Sequence, residues 1–131
     1  MPGKRATYEA IVDSGVTAIL RGISEENIVP AARAIYEGGV RTIEITADAK
    51  RCNRLVAAVD QELKGTDAVV GAGTVMDAAT ARNVIGAGAE FVLAPNLNEN
   101  VIDVCNVEGV VAVPGVMTPT EAATAMEAGA D

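Results

Sequence analysis

Histidine is absent from the 131-residue chain. Without imidazole there is no Ser–His or Cys–His nucleophile pair, no histidine ligand for haem, and almost none of the usual catalytic zinc sets. Aromatic residues are scarce as well: no tryptophan, one phenylalanine and two tyrosines. Ten Lys and Arg stand against eighteen Asp and Glu, a formal charge of −8. That charge repels phosphate backbones, and no basic stripe interleaved with aromatics offsets it, so nucleic-acid binding is not expected. Half of the residues (50%) are hydrophobic, yet no apolar run approaches the roughly 18 residues that span a bilayer. A soluble globular protein with no membrane association is expected. The start, Met-Pro-Gly-Lys-Arg, has charges but no apolar segment behind them, so no secretory signal is expected. The two cysteines, Cys52 and Cys105, fall on different predicted helices without metal-ligand spacing. They read as reduced thiols of a cytoplasmic protein.

What the chain does contain is a repeated unit. In Ala68-Val-Val-Gly-Ala-Gly-Thr-Val75 a short apolar run ends in small residues, a hydroxyl follows, and a helical pattern begins at Asp77. This predicts a strand feeding a helix. Gly71, Ala72 and Gly73 leave little side-chain volume at the strand's end, so backbone or a ligand can come close, and Thr74 is the first polar group there. Similar runs start near Val16, Thr42, Phe91 and Val110, each followed by a helical pattern. The spacing of roughly 20 to 26 residues suits one β-strand, one α-helix and two short loops. Five βα units are predicted, preceded by a short lead-in helix over 4–14 that Gly15 closes, all in one domain over residues 1–131.

Within the units, Arg21 sits at the C-terminal end of the strand 16–20. Ser24 is a predicted N-cap, with Glu25 and Glu26 in the first helical turn. Ile28, Ala31, Ala32, Ile35 and Tyr36 form one apolar stripe that Gly38-Gly39 ends. In the strand 42–46, alternation puts Ile43 and Ile45 on one face and Thr42, Glu44 and Thr46 on the other. In an open antiparallel sheet Glu44 would be wet. In a parallel sheet covered on both faces it would be buried and would need a reason, and the βα repeat favours burial. Helices are predicted over 50–63, from Asp77, and from Asn98. The last helix has the clearest local signal, with Thr118 as N-cap, Pro119 at the first helical position and Glu121 completing a capping box.

Strict βα alternation allows an open doubly wound sheet or a (β/α)₈ barrel. The dinucleotide fingerprint Gly-x-Gly-x-x-Gly fails at Met76. Polar groups at the C-terminal ends of the strands, namely Arg21, Glu44, Thr46, Thr74 and Asn96, fit barrel enzymes. The expected fold is therefore α/β with (β/α)₈ topology, represented by five of its eight units.

Taken together, Thr-Ile-Glu-Ile-Thr at 42–46, Val-Gly-Ala-Gly-Thr-Val at 70–75, Phe-Val-Leu-Ala-Pro at 91–95 and Val-Pro-Gly-Val-Met-Thr-Pro-Thr-Glu at 113–121 resemble the 2-keto-3-deoxy-6-phosphogluconate (KDPG) / 4-hydroxy-2-oxoglutarate (KHG) aldolases. The resemblance covers essentially the whole chain. It implies a class I aldolase, usually a trimer, that splits a 2-keto-3-deoxy sugar acid phosphate into pyruvate and an aldehyde without a metal or other cofactor. By the resemblance Glu44 is the acid/base carboxylate, working through a water, Thr74 is a ligand of the pyruvate carboxylate, and Pro95 lines the pocket. Arg21 looks like an arginine that some members place at this strand end, where it could hold carboxylate or phosphate.

Two departures stand out. Where many members carry an arginine four residues after the glutamate, this chain has Asp48, so Arg21 or Lys50 has to compensate or the substrate differs. The family's Schiff-base lysine lies on the sixth strand, and the residues that match the family here reach only the fifth unit, which predicts a chain inactive alone. Bland alternatives accompany each residue: Thr74 as a helix cap, Arg21 paired with Glu25 or Glu26, Asp48 as a helix N-cap, Lys50 as a solvated lysine. Two other functions are carried beside aldolase chemistry. One is a half-barrel assembly or binding module; the other is a metal-dependent sugar-phosphate epimerase using Glu44, for which no ligand cluster is visible.

Overall fold

A computed structural model describes residues 3–48 and 51–131. Six helices and five strands alternate along the described residues: α1 (Lys4–Ser14), β1 (Thr17–Leu20), α2 (Glu25–Glu37), β2 (Thr42–Thr46), α3 (Cys52–Leu63), β3 (Val69–Gly73), α4 (Ala78–Gly86), β4 (Phe91–Leu93), α5 (Glu99–Glu108), β5 (Val111–Val113) and α6 (Pro119–Glu127). The strands form one parallel sheet in the order β1-β2-β3-β4-β5. Each strand therefore pairs with the next in sequence, as five consecutive units of (β/α)₈ topology require. Among the described residues no helix is long and apolar enough to cross a membrane.

The period of two along each strand sorts residues onto two faces. Ile43, Ile45, Val70, Ala72, Val92 and Ala112 face the helices. They are buried with Ile28 and Ala32 of α2, Leu55, Val56 and Val59 of α3, Val84 of α4, and Val101, Ile102 and Cys105 of α5. The other face carries Thr42, Glu44, Thr46, Gly71 and Gly73, together with Val69, Phe91 and Val111. These last three form a smaller cluster on which Ala10 and Ile11 of α1 pack. The lead-in helix thus closes the N-terminal end of the sheet's inner face. Further along that face Ile19 of β1 and Val113 of β5 remain 57% and 38% exposed.

Helix boundaries follow local chemistry. Thr118 Oγ1 accepts from the Glu121 backbone N–H at 3.2 Å while the Glu121 carboxylate accepts from the Thr118 N–H at 2.9 Å, the predicted capping box. Asp77 and Asn98 cap α4 and α5 through their side chains. Ser24 is the N-cap residue of α2, as expected, and its carbonyl accepts the first helical bonds, but its Oγ accepts from Asn27 Nδ2 at 3.0 Å instead of from a backbone N–H. At the far end, the Asp131 N–H donates to the Ala112 carbonyl at 3.0 Å and Asp131 Oδ2 accepts from the Ala112 N–H at 2.8 Å, covering part of the β5 edge.

Candidate active site

The polar groups collect where the parallel strands end, so the site is a consequence of the topology. Arg21 directly follows β1, Thr46 closes β2, Asp48 lies two residues beyond it, and Thr74 directly follows β3. Because β1 pairs with β2 and β2 with β3, these ends are neighbours. Arg21 Nη1 donates to Asp48 Oδ2 at 2.9 Å, and Nη2 donates to Thr74 Oγ1 at 3.2 Å. Thr46 Oγ1 donates to the other Asp48 oxygen at 2.7 Å; the Leu20 carbonyl is a longer alternative at 3.4 Å. Both carboxylate oxygens of Asp48 are thus engaged. Its hydroxyl donor Thr46, and to a smaller extent Arg21, hold its pKa below the usual carboxylate value. A guanidinium has five N–H donors, so Arg21 keeps three for an anion after these two contacts.

Glu44 lies one step deeper on β2. It is 5% exposed, and among the described residues its side chain makes no hydrogen bond. Burial pushes its carboxyl pKa up from 4.5, while the nearby Arg21 charge pulls it back in part. Residue 73 creates the space for it. A Cβ at Gly73 would sit 1.6 Å from Glu44 Oε1, so any side chain there would evict the carboxylate. Gly71 does the same for Phe91, whose ring carbons lie 2.4 Å from where its Cβ would be. The small residues that suggested room for a ligand are therefore filled by side chains of the neighbouring strands.

Thr74 has φ of 59°, the one non-glycine residue in the left-handed region among those described. A β-branched residue there is strained by about 1–3 kcal/mol, a cost found mostly at functional sites. The flanking backbone holds it: the Ala47 N–H donates to the Gly73 carbonyl at 2.7 Å and the Val75 N–H to the Leu93 carbonyl at 3.1 Å. Chemically, the cluster offers one carboxyl group able to exchange a proton nearer neutrality than an exposed glutamate, beside a cation and a hydroxyl suited to a carboxylate.

The structure brings Arg21, Thr74 and Glu44 together. Pro95 follows β4 by two residues; it is exposed, and its carbonyl lies close to Gly115. Three alternatives are corrected. Thr74 does not cap α4, because Asp77 does. Among the described residues Arg21 pairs with Asp48 and with neither Glu25 nor Glu26, and Arg51 engages Glu25 at 3.1 Å. Asp48 is not the N-cap of α3, where Arg51 stands. Lys50 lies outside the described residues. What sequence reasoning missed is Asp48 as the partner of Arg21 and Thr46. The signal was present in the Thr-Ala-Asp spacing, which can return two polar side chains to one side.

Residues 8–131 match the family described as KDPG and KHG aldolase. The chain is 35% identical over 122 residues to the 2-dehydro-3-deoxy-phosphogluconate aldolase of Treponema pallidum, covering 93% of this chain and 57% of that protein. It is 30% identical over 130 residues to the KHG/KDPG aldolase of Escherichia coli K12, covering 98% of this chain and 60% of the relative. Among solved structures, the 4-hydroxy-2-oxoglutarate/2-dehydro-3-deoxyphosphogluconate aldolase from TTHB1 superposes with a TM-score of 0.82 at 31% identity, covering 95% of this chain and 60% of that one. The KDPG aldolase of Zymomonas mobilis ZM4 shares the fold, with a TM-score of 0.85 at 23% identity. The chain therefore spans about three-fifths of the length of these relatives, and over that span it belongs to the KDPG and KHG aldolase family.

Proposed function

We propose that these residues form the N-terminal part of a class I aldolase that cleaves a 2-keto-3-deoxy sugar acid phosphate such as KDPG to pyruvate and an aldehyde. The observation that carries the reading is Glu44: a buried carboxylate with raised pKa, in a space cleared by Gly73, near an arginine tethered to Asp48 and Thr74. In this reading a lysine from sequence outside the 131 residues forms an imine with the substrate's keto carbon, releasing water. Glu44, through a water, takes the proton from the C4 hydroxyl as the C3–C4 bond breaks, and the electron pair passes to the imine nitrogen. The aldehyde departs, Glu44 returns the proton to C3, and water releases pyruvate and the lysine.

Arg21 and Thr74 receive the pyruvate carboxylate. Asp48 stands where many relatives have arginine, and its role is to anchor Arg21 rather than to meet substrate, so the positive charge comes from the end of β1. Pro95 is read as a wall of the pocket. We place the enzyme in the cytoplasm, as a homo-oligomer with free Cys52 and Cys105 thiols. The test is retro-aldol cleavage followed by NADH-coupled pyruvate detection, in a protein extended to the relatives' full length. Glu44→Gln is expected to keep the fold and lower the rate about 10²- to 10⁴-fold. A loss of less than about threefold would return Glu44 to a structural role.

The unpaired edges of β1 and β5 and the exposed Ile19 and Val113 favour a second reading, in which the five units also act as an assembly module that pairs with another chain.

A further inference from the structure

At the opposite end of the sheet from Glu44 lies a cavity of about 590 Å³, within the usual size range of small-molecule sites. Its walls come from α1, α3, the following loop, β3 and the residue before β4, away from the unpaired edges. Leu63, Val69 and Val70 supply apolar surface, and Glu90 and Asp60 both line it. Glu90 is 8% exposed, and its Oε2 is buried with no hydrogen-bond partner. Asp60 is half-buried, and among the described residues its side chain makes no hydrogen bond or ion pair. Gly88 keeps it close, since a Cβ there would sit 2.7 Å from the Asp60 Cγ. Burial pushes the Glu90 pKa up; the Val70 backbone N–H pulls it back in part, and the Asp60 charge adds to the rise.

A buried carboxylate oxygen without a partner, in a group that feels a second carboxylate, is costly. A cation entering the cavity would satisfy both. Asp67, also on the wall, is already engaged by Tyr36 and Arg41 at 2.8 and 2.9 Å. Lys64, on the rim, is exposed and pairs with neither carboxylate in the structure. Two available carboxylates above an apolar floor match a monovalent organic cation better than a metal ion, which takes more ligands. We propose that this cavity binds a small alkylammonium compound, its charged head between Glu90 and Asp60 and its stem against Leu63, Val69 and Val70.

The test uses the protein extended to the relatives' full length and three probes of matched size, n-butylamine, n-butanol and butyrate, followed by amide chemical shifts. Butylamine should shift Asp60, Gly88 and Glu90 saturably at neutral pH, and the other two should not. Glu90→Gln and Asp60→Asn should each weaken butylamine binding at least about tenfold, the loss of a charge-assisted contact. Asp60 is only half-buried, so Asp60→Asn decides the matter if Glu90→Gln fails to fold. Lys64→Ala should leave binding unchanged or tighter, because a like charge leaves the rim. The proposal is overturned if butanol acts as strongly as butylamine, if no shift saturates, if the foldable carboxylate variants bind as before, or if Lys64→Ala abolishes binding.

Discussion

Replacing Gly73 and Gly71 separately by alanine should divide function from stability. At position 73 the added Cβ would lie 1.6 Å from Glu44 Oε1, 2.3 Å from Cδ and 2.9 Å from Cγ. Restoring an ordinary contact near 3.5 Å moves the carboxylate by about 2 Å. Gly73 has no positive φ, so alanine fits the strand's backbone. The displaced group is the end of a flexible side chain that gains water when it leaves, so the cost in stability stays within about 1 kcal/mol. A reacting group misplaced by about 1 Å already loses about 10² in rate, so at least that loss is expected. At position 71 the obstacle is the Phe91 ring at 2.4 Å, 1% exposed and packed beneath α1. That ring has nowhere to go, and overpacking of this kind costs about 1–3 kcal/mol. Urea unfolding of both variants, with a carbon-13 titration of the Glu44 carboxyl, reads the difference. Gly71→Ala should unfold at lower urea with Glu44 still titrating high, and Gly73→Ala should unfold near the parent with Glu44 titrating closer to 4.5. The reverse order of stabilities, with Glu44 unmoved in Gly73→Ala, would refute the packing argument.

Pyruvate with borohydride should leave no covalent adduct on the 131-residue chain and a single one, at a lysine beyond residue 131, on the extended protein. Lys4 is tied to Asn106 and Asp131, and Lys64 lines the far cavity; a stoichiometric adduct on Lys50 of the short chain would overturn this. The free edges of β1 and β5, the latter covered only at Ala112, should make the chain self-associate in sedimentation experiments, and a stable monomer with a cooperative thermal transition would count against it. Glu90 has a raised folded pKa, so the folded state holds its proton longer than the unfolded state. Its contribution is fully present below about 4.5 and is lost as pH rises through the raised value. Urea stability of the parent relative to Glu90→Gln should therefore fall over that interval, and a parallel pair of pH profiles would contradict the burial assigned to Glu90.

The alternation of strands and helices was legible because each unit repeats its pattern, and because caps such as Thr118-Pro-Thr-Glu121 depend only on near neighbours. Ser24 was placed correctly at the N-cap of α2, yet its hydroxyl does not cap, for an equally local reason: Asn27, three residues on, offers a side-chain donor that competes for it. Glu44 could be placed on the inner face by counting in twos. That Gly73 makes its space could not be read, because the clash belongs to two strands and appears only once their register, Glu44 opposite Gly71 and Thr46 opposite Gly73, is known. Glu90 escaped for the same reason: it precedes a strand by one residue, where an acidic residue normally reads as part of a wet turn.

Thr74 shows where such reading reaches its physical limit. Its hydroxyl was identified as the first polar group after β3, yet threonine is among the residue types least suited to φ of 59°, so no propensity could have suggested that backbone. Glycine would adopt this conformation without strain but would bring no hydroxyl. The conformation is imposed by the strands on either side, through the Gly73 carbonyl and the Val75 N–H, and it leaves Thr74 Oγ1 within reach of Arg21. Asp48, just beyond the end of β2, holds the same guanidinium. The exposed cation is thus tethered by two contacts before any anion arrives, and a substrate carboxylate would meet a side chain already partly ordered. In the proposed aldolase, that tether would be the role of an acidic residue at a position where a second arginine would otherwise be expected.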